Sequence, residues 1–292
     1  MRVTGLAMPA TGHAPIGGVV PPILSYHKIE RRRELGVTRL SPARFARQMH
    51  RLASAGWTTL SLADVAACVA GTRRLGPREL AISFDDAYRG LRDHAFPVLA
   101  SLGFTATCFV ITNYAGRLNR WDVAYGGRRF AHLAWRDMRR WQERGVEFAS
   151  HTATHPRLTW LADADVMHEL TESRRALLRA LDVESPAISY PFGAAGARER
   201  TFAREAGYGA GFELAGRWRG DAMAIPRRPV YPWAPPTPGV GPLAPLERVA
   251  AIAANRCAIG TTVIQRMGRG AGGPGGLATR SSAPRLESAM GE

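Results

Sequence analysis

The chain has 292 residues, 46% of them hydrophobic, which is enough to bury a large core and excludes a disordered chain or a small disulfide-stapled scaffold. Its formal net charge of +15 would suit an anionic partner, but the excess is arginine, with Lys28 the sole lysine. The arginine clusters are spread over separate elements without interleaved aromatics, which argues against nucleic acid, and no run of 18 apolar residues offers a membrane span, leaving peripheral membrane contact at most.

In chain order, residues 1–20 break their apolar residues with Gly, Pro and His, so they read as a flexible segment and not as a signal peptide; cytoplasmic residence is the expectation. Residues 21–232 alternate strands and helices in the manner of an α/β domain. A strand at 23–29 precedes a helix opened by Ser41-Pro42, a cap followed by proline at the first helical position, and running toward Gly56. Ser61 caps a short second helix. A buried strand at 79–85 leads to a helix over 90–102, ended by Gly103, and a strand at 106–111. The loop 112–134, long for a compact domain, holds Trp121 and Asp122 and is expected to border a binding groove. A helix at 135–144, a strand at 146–151, a long helix at 163–181, a strand at 187–192, a helix at 198–206 and strands at 209–214 and 224–230 complete about seven strands. From 233 to 292 the chain is rich in Pro and Gly, holds one candidate helix over 245–266, and is expected to be largely disordered. Cys68, Cys108 and Cys257 lack a CxxC pair and sit among apolar residues, so they read as buried thiols.

Two segments carry chemistry. Ser83-Phe84-Asp85-Asp86 ends a buried strand on two adjacent carboxylates, which point different ways, so that one can bind a metal while the other stays free. His151-Thr152-Ala153-Thr154-His155 follows the next-but-one strand and sets two imidazoles four residues apart, close enough to hold one ion. Asp86, His151 and His155 thus form a three-ligand site for a divalent metal, with zinc preferred for one carboxylate and two imidazoles. Asp85 is then the general base. Solvated acids in a turn and helix-start histidines are the structural alternative, and the joint occurrence after two strands disfavours it.

SFDDAY, HTATHP and the later Ser189-Tyr190-Pro191-Phe192-Gly193 resemble the first three motifs of the polysaccharide deacetylases, also called carbohydrate esterase family 4 or the chitooligosaccharide deacetylase homology domain. The resemblance covers about residues 20–232 and implies an incomplete or distorted (β/α) barrel. Alternation alone would equally permit an open doubly wound sheet. It also implies hydrolysis of N-acetyl groups on an acetylated glycan, with Asp85 as base, Asp86, His151 and His155 as metal ligands, and the Tyr190, Pro191 and Phe192 segment lining the sugar site.

Two departures matter. The arginine many members carry before the third-motif proline is absent, and Arg227 or Arg228 is expected to replace its charge. The family's late Leu-x-His has no counterpart, since no histidine follows His168. His27, at the end of the first strand, is expected to protonate the leaving amine, and the remaining histidines, His132 among them, read as surface or helix residues. Trp121 is the expected sugar-stacking aromatic, ahead of Trp218 and Trp233. The alternatives to a de-N-acetylase are a metal-dependent hydrolase of another acyl or amide bond, and a non-catalytic glycan-binding relative motivated by the two departures.

Overall fold

The computed structural model describes residues 18–32, 34, 37–120, 129–184 and 186–234. Trp121, Cys257 and the C-terminal extension from 235 lie outside them. Of the N-terminal segment, Val19 donates its N–H to the carbonyl of Cys68, and Val20 packs on the interior cluster.

In chain order the elements are β1 (Ile23–Tyr26), β2 (Lys28–Ile29), β3 (Arg39–Leu40), α1 (Pro42–Ser54), β4 (Thr58–Thr59), α2 (Leu62–Val69), β5 (Glu79–Phe84), α3 (Phe96–Ser101) and β6 (Ala106–Val110). They continue as α4 (Trp135–Gln142), β7 (Val146–Ser150), α5 (Asp163–Leu181), β8 (Ala187–Ser189), α6 (Ala197–Glu205), β9 (Ala210–Leu214) and β10 (Ile225–Pro229). Strands β1, β10, β9, β8, β7, β6 and β5 follow one another, all parallel, and β1 pairs β5 from Ile23↔Ala81 to Tyr26↔Phe84. The result is a closed seven-stranded parallel barrel with helices around it, as the family resemblance implied and an open sheet would not be. The ring is uneven: β6 and β7 share five residue pairs, β7 and β8 a single one at Ser150↔Ile188.

A parallel barrel buries both faces of each strand, which is why the strands read as apolar runs. Alternation sends Ile23, Ala81, Phe109, Ala149, Ala187, Ala210, Phe212 and Ile225 to the interior cluster. Leu24, Tyr26, Leu80, Ile82, Phe84, Cys108 and Val110 face outward and meet Phe45, Met49 and Leu52 of α1, Phe96 of α3, and Met138 and Trp141 of α4. The helix starts behave as their sequences indicate: Ser41 accepts from the N–H of Arg44, and Ser61 forms a capping box with Asp64.

Three expected elements change. The strand at 23–29 breaks at His27, because β2 leaves the barrel to pair with β3. The helix at 90–102 opens as a π-turn over Leu91–Ala95, and the strand at 187–192 stops at Ser189, since Pro191–Gly193 turns as a 3-10 segment with Phe192 at φ 60°. The breaks at His27 and Pro191 lie just past the carboxyl end of a barrel strand, where chain leaves the ladder.

Candidate metal centre

Asp85 and Asp86 leave the end of β5, His151 and His155 the end of β7, and His27 the end of β1, so one face of the barrel collects them all. The backbone there is unusual. Five non-glycine residues at positive φ, namely Asp86 (70°), Ala87 (55°), Thr152 (68°), His155 (63°) and Phe192 (60°), sit on the loops after β5, β7 and β8, a concentration of strain typical of functional sites.

Asp86, His151 and His155 are buried, and each offers a ligand atom within 4.8 Å of the others'. Nε2 of His151 lies 3.4 Å and Nε2 of His155 3.5 Å from Oδ1 of Asp86. Two ligands of a tetrahedral ion bound at the usual zinc distances are about 3.3–3.6 Å apart. Oδ1 of Asp86 is itself buried without a hydrogen-bond partner, an arrangement a cation satisfies and a protein core does not. These residues fit a divalent ion with an oxygen and two imidazole nitrogens as ligands.

The surroundings hold the ligands in that pose. Nδ1–H of His151 donates to the carbonyl of Ser189 (2.7 Å), which leaves the Nε2 lone pair for a metal. Glu169, on the buried side of α5, accepts from the N–H groups of Ala153 (2.9 Å) and Thr154 (2.8 Å) and from the Thr154 hydroxyl, fixing the turn between the two histidines. The His155 N–H donates to Oγ1 of Thr152, and its ring meets Phe192 with centroids 4.7 Å apart. Nδ1–H of His132 donates to the Asp86 carbonyl (2.6 Å), its ring stacked on Tyr88. Contrary to expectation, His132 is therefore a buried prop of the site. Nothing in its sequence context signals this. Glu169 was legible in principle, as an acid in the stripe of Val166, Leu170, Ser173 and Leu177 that α5 buries.

Asp85 meets a different partner. Arg227 of β10 points into the barrel, wholly buried, and donates to both carboxylate oxygens at 2.8 Å. It also donates to Oγ of Ser83 (3.2 Å) and of Ser189 (2.7 Å), with its guanidinium carbon 5.1 Å from the Phe109 ring and 5.9 Å from that of Phe212. Of the two arginines considered, it is Arg227 that reaches Asp85, and at 0% side-chain exposure it is too buried to touch a substrate. Burial alone would push the Asp85 carboxyl up; the Arg227 charge, His151 and the Arg227 hydrogen bonds outweigh it and bring it down to about 2. Asp86 is likewise held below the carboxylate range despite burial, by the imidazoles of His151, His155 and His27 around it. Burial, then the charge of His151, lowers His155 to about 3, whereas for His151 the two aspartates overcome burial and raise it.

His27 does not point into the core. Its Nε2 lies 3.9 Å from Oδ2 of Asp85 and its side chain keeps 17% exposure. Burial depresses its pKa, with Asp85 and Asp86 opposing. The third-motif residues separate: Phe192 stands at the site against His155, and Pro191 is buried at its turn. The Tyr190 ring instead packs outward among Ile188, Ala203 and Tyr208, where only a glycine at 211 leaves room for its phenol. Its N–H is spent on the Phe212 carbonyl, so neither its ring nor its amide is offered to a substrate.

Residues 72–211 match the profile of the family described as polysaccharide deacetylase. YxkH of Bacillus subtilis (strain 168), which bears a provisional polysaccharide deacetylase name, is 26% identical over 187 residues, or 64% of this chain; the match spans 62% of that relative's length. Among solved structures, the Streptococcus pyogenes deacetylase PplD in complex with acetate aligns at TM-score 0.65 and 22% identity over 75% of this chain and 96% of that one. IcaB from Ammonifex degensii aligns at 0.63 and 20% over 82% and 98%. The matched segment carries Asp85, Asp86, His151 and His155, so the residues of the candidate site lie within the part of the chain that is similar to the polysaccharide deacetylase family.

Proposed function

We propose that this protein is a metal-dependent hydrolase that removes N-acetyl groups from an acetylated glycan. The observation that carries the reading is the meeting, on one barrel face, of a three-ligand donor set with a carboxylate that a buried arginine keeps ionised. A divalent ion bound by Asp86, His151 and His155 would polarise the acyl oxygen and acidify a water, and zinc suits the donor set.

The chain's own residues do the rest. Asp85, at about 2, is ionised at neutral pH and takes the proton of the attacking water. Arg227 holds both of its oxygens, so the carboxylate cannot rotate away. His27, 3.9 Å from Asp85, is on hand to give a proton to the departing amine nitrogen. The broken C–N bond then leaves acetate and a free amine. Phe192 shields His155 and gives the pocket an apolar wall.

Acetate release from a panel of N- and O-acetylated glycans by Zn²⁺-loaded protein tests the reading. Asp85→Asn should keep the metal and lose activity by roughly 10²- to 10⁴-fold, the usual yield of a general base. Unchanged release by that variant would remove Asp85 from the mechanism, and release from O-acetylated glycans alone would move the activity to ester hydrolysis.

A further inference from the structure

Among the described residues, five large hydrophobic side chains are exposed, and two of them are tryptophans, Trp160 at 39% and Trp233 at 51%. Both lie on the catalytic side of the barrel. Trp160 follows β7 in the loop that holds His155, and Trp233 follows β10, which holds Arg227. Trp218, by contrast, packs with Val20 and Ala222 on the interior cluster, near the residues that lead into β1 and β10.

Trp233 is built into its place. Its ring stacks on Tyr231 with centroids 4.9 Å apart and planes 21° off parallel. Tyr231 is buried against Val37, from the connection between β2 and β3, and Ala215, just past β9. Ala234 donates its N–H to the Tyr231 carbonyl and accepts from the Arg44 guanidinium at the start of α1. The chain therefore spends a buried tyrosine and two hydrogen bonds on holding an indole in water, where it forfeits the burial that its area would otherwise provide.

In the ring β1-β10-β9-β8-β7-β6-β5, strands β7 and β10 are three steps apart one way and four the other, nearly opposite. Seven strands at their usual spacing and tilt enclose a ring about 13 Å across, so a glycan reaching from one tryptophan to the other needs roughly three or more linked sugar rings. Asp85, Asp86, His151 and His155 lie between.

We propose that Trp233, backed by Tyr231, is a sugar-stacking subsite remote from the reacting acetyl group, which receives the apolar face of a pyranose in an oligomeric glycan lying across the barrel mouth toward Trp160. This rests on the glycan de-N-acetylase reading. It makes turnover depend on chain length through KM.

The experiment compares the full-length Zn²⁺-loaded protein with Trp233→Ala and Trp233→Phe on N-acetylglucosamine oligomers of one to six units, with thermal melting to verify folding. The expected result is a kcat/KM that rises with length, a hexamer-to-dimer ratio that falls about tenfold in Trp233→Ala through KM, and recovery in Trp233→Phe. Hexamer binding followed by tryptophan quenching in metal-free protein supplies a second readout, expected to weaken about tenfold in Trp233→Ala. Length dependence and hexamer affinity that survive Trp233→Ala would overturn the subsite while leaving deacetylation standing. If the wild type releases no acetate from any oligomer, the deacetylase reading fails, and the quenching comparison still decides the subsite.

Discussion

Replacing Arg227 by methionine removes four hydrogen bonds at once and leaves the Asp85 carboxylate buried without its cation. Breaking a buried ion pair from one side costs roughly 3–5 kcal/mol. The carboxyl can limit that loss by taking a proton, and for an aspartate whose ordinary value is 3.8 this costs about 4.4 kcal/mol at pH 7 but only about 1.6 kcal/mol at pH 5. The sign follows. In the wild type the folded value of about 2 lies below 3.8, so the pair contributes stability that is present above pH 3.8 and lost as pH falls toward 2. In Arg227→Met the folded pKa rises above 3.8, so the variant regains ground as pH falls. Urea unfolding of metal-free protein should give a destabilisation of about 3–4 kcal/mol at pH 7 that shrinks to about 2 kcal/mol or less at pH 5. Adding Asp85→Asn should recover most of the loss, a coupling of at least about 2 kcal/mol. A loss that is the same at both pH values, or additive with Asp85→Asn, would refute the claim that Arg227 acts through the Asp85 charge.

Three other outcomes follow from the site. His151→Ala and Asp86→Ala should lower zinc stoichiometry in equilibrium dialysis from one ion per chain toward none, whereas wild-type stoichiometry in both would place any metal elsewhere. Glu169→Ala orphans the Ala153 and Thr154 amides and should cost about 2–4 kcal/mol in unfolding and about 10- to 100-fold in metal affinity, while Glu169→Gln keeps an acceptor and most of both; a neutral Ala variant would show that the turn holds itself. His27→Ala should lose about 10²-fold or more in acetate release if the imidazole is the acid. Because burial depresses its pKa, the protonated donor is lost as pH rises, so the alkaline limb of kcat/KM in the wild type should lie below 6.5; a limb well above that value would assign it to another group.

The sequence by itself determined the parts of this protein that are local. Buried parallel strands must be apolar on both faces, so β5, β6 and β7 stand out as runs, and helix caps are chemical, so Ser41 and Ser61 mark α1 and α2 within a residue. The candidate donor set was equally legible, because Asp86 is adjacent to Asp85 and the two histidines are four apart, and such spacings survive in any fold that places them at strand ends.

Tertiary structure decided what depends on contacts far apart in the chain. Arg227 and Asp85 are 142 residues apart, and only the register of β10 beside β1, and of β1 beside β5, aims the one at the other. Between Arg227 and Arg228 the sequence offered no choice; strand alternation made it, sending Arg227 inward to Ser83 and Ser189. The same alternation turned Tyr190 outward into the core and, with the strained turn after it, left Phe192 against the His155 ring. His132 carries no spacing signal at all, since the Asp86 carbonyl it props is 46 residues away, and although Trp233 lies two residues past Tyr231, it is the fold that brings Val37 and Ala215 against that tyrosine.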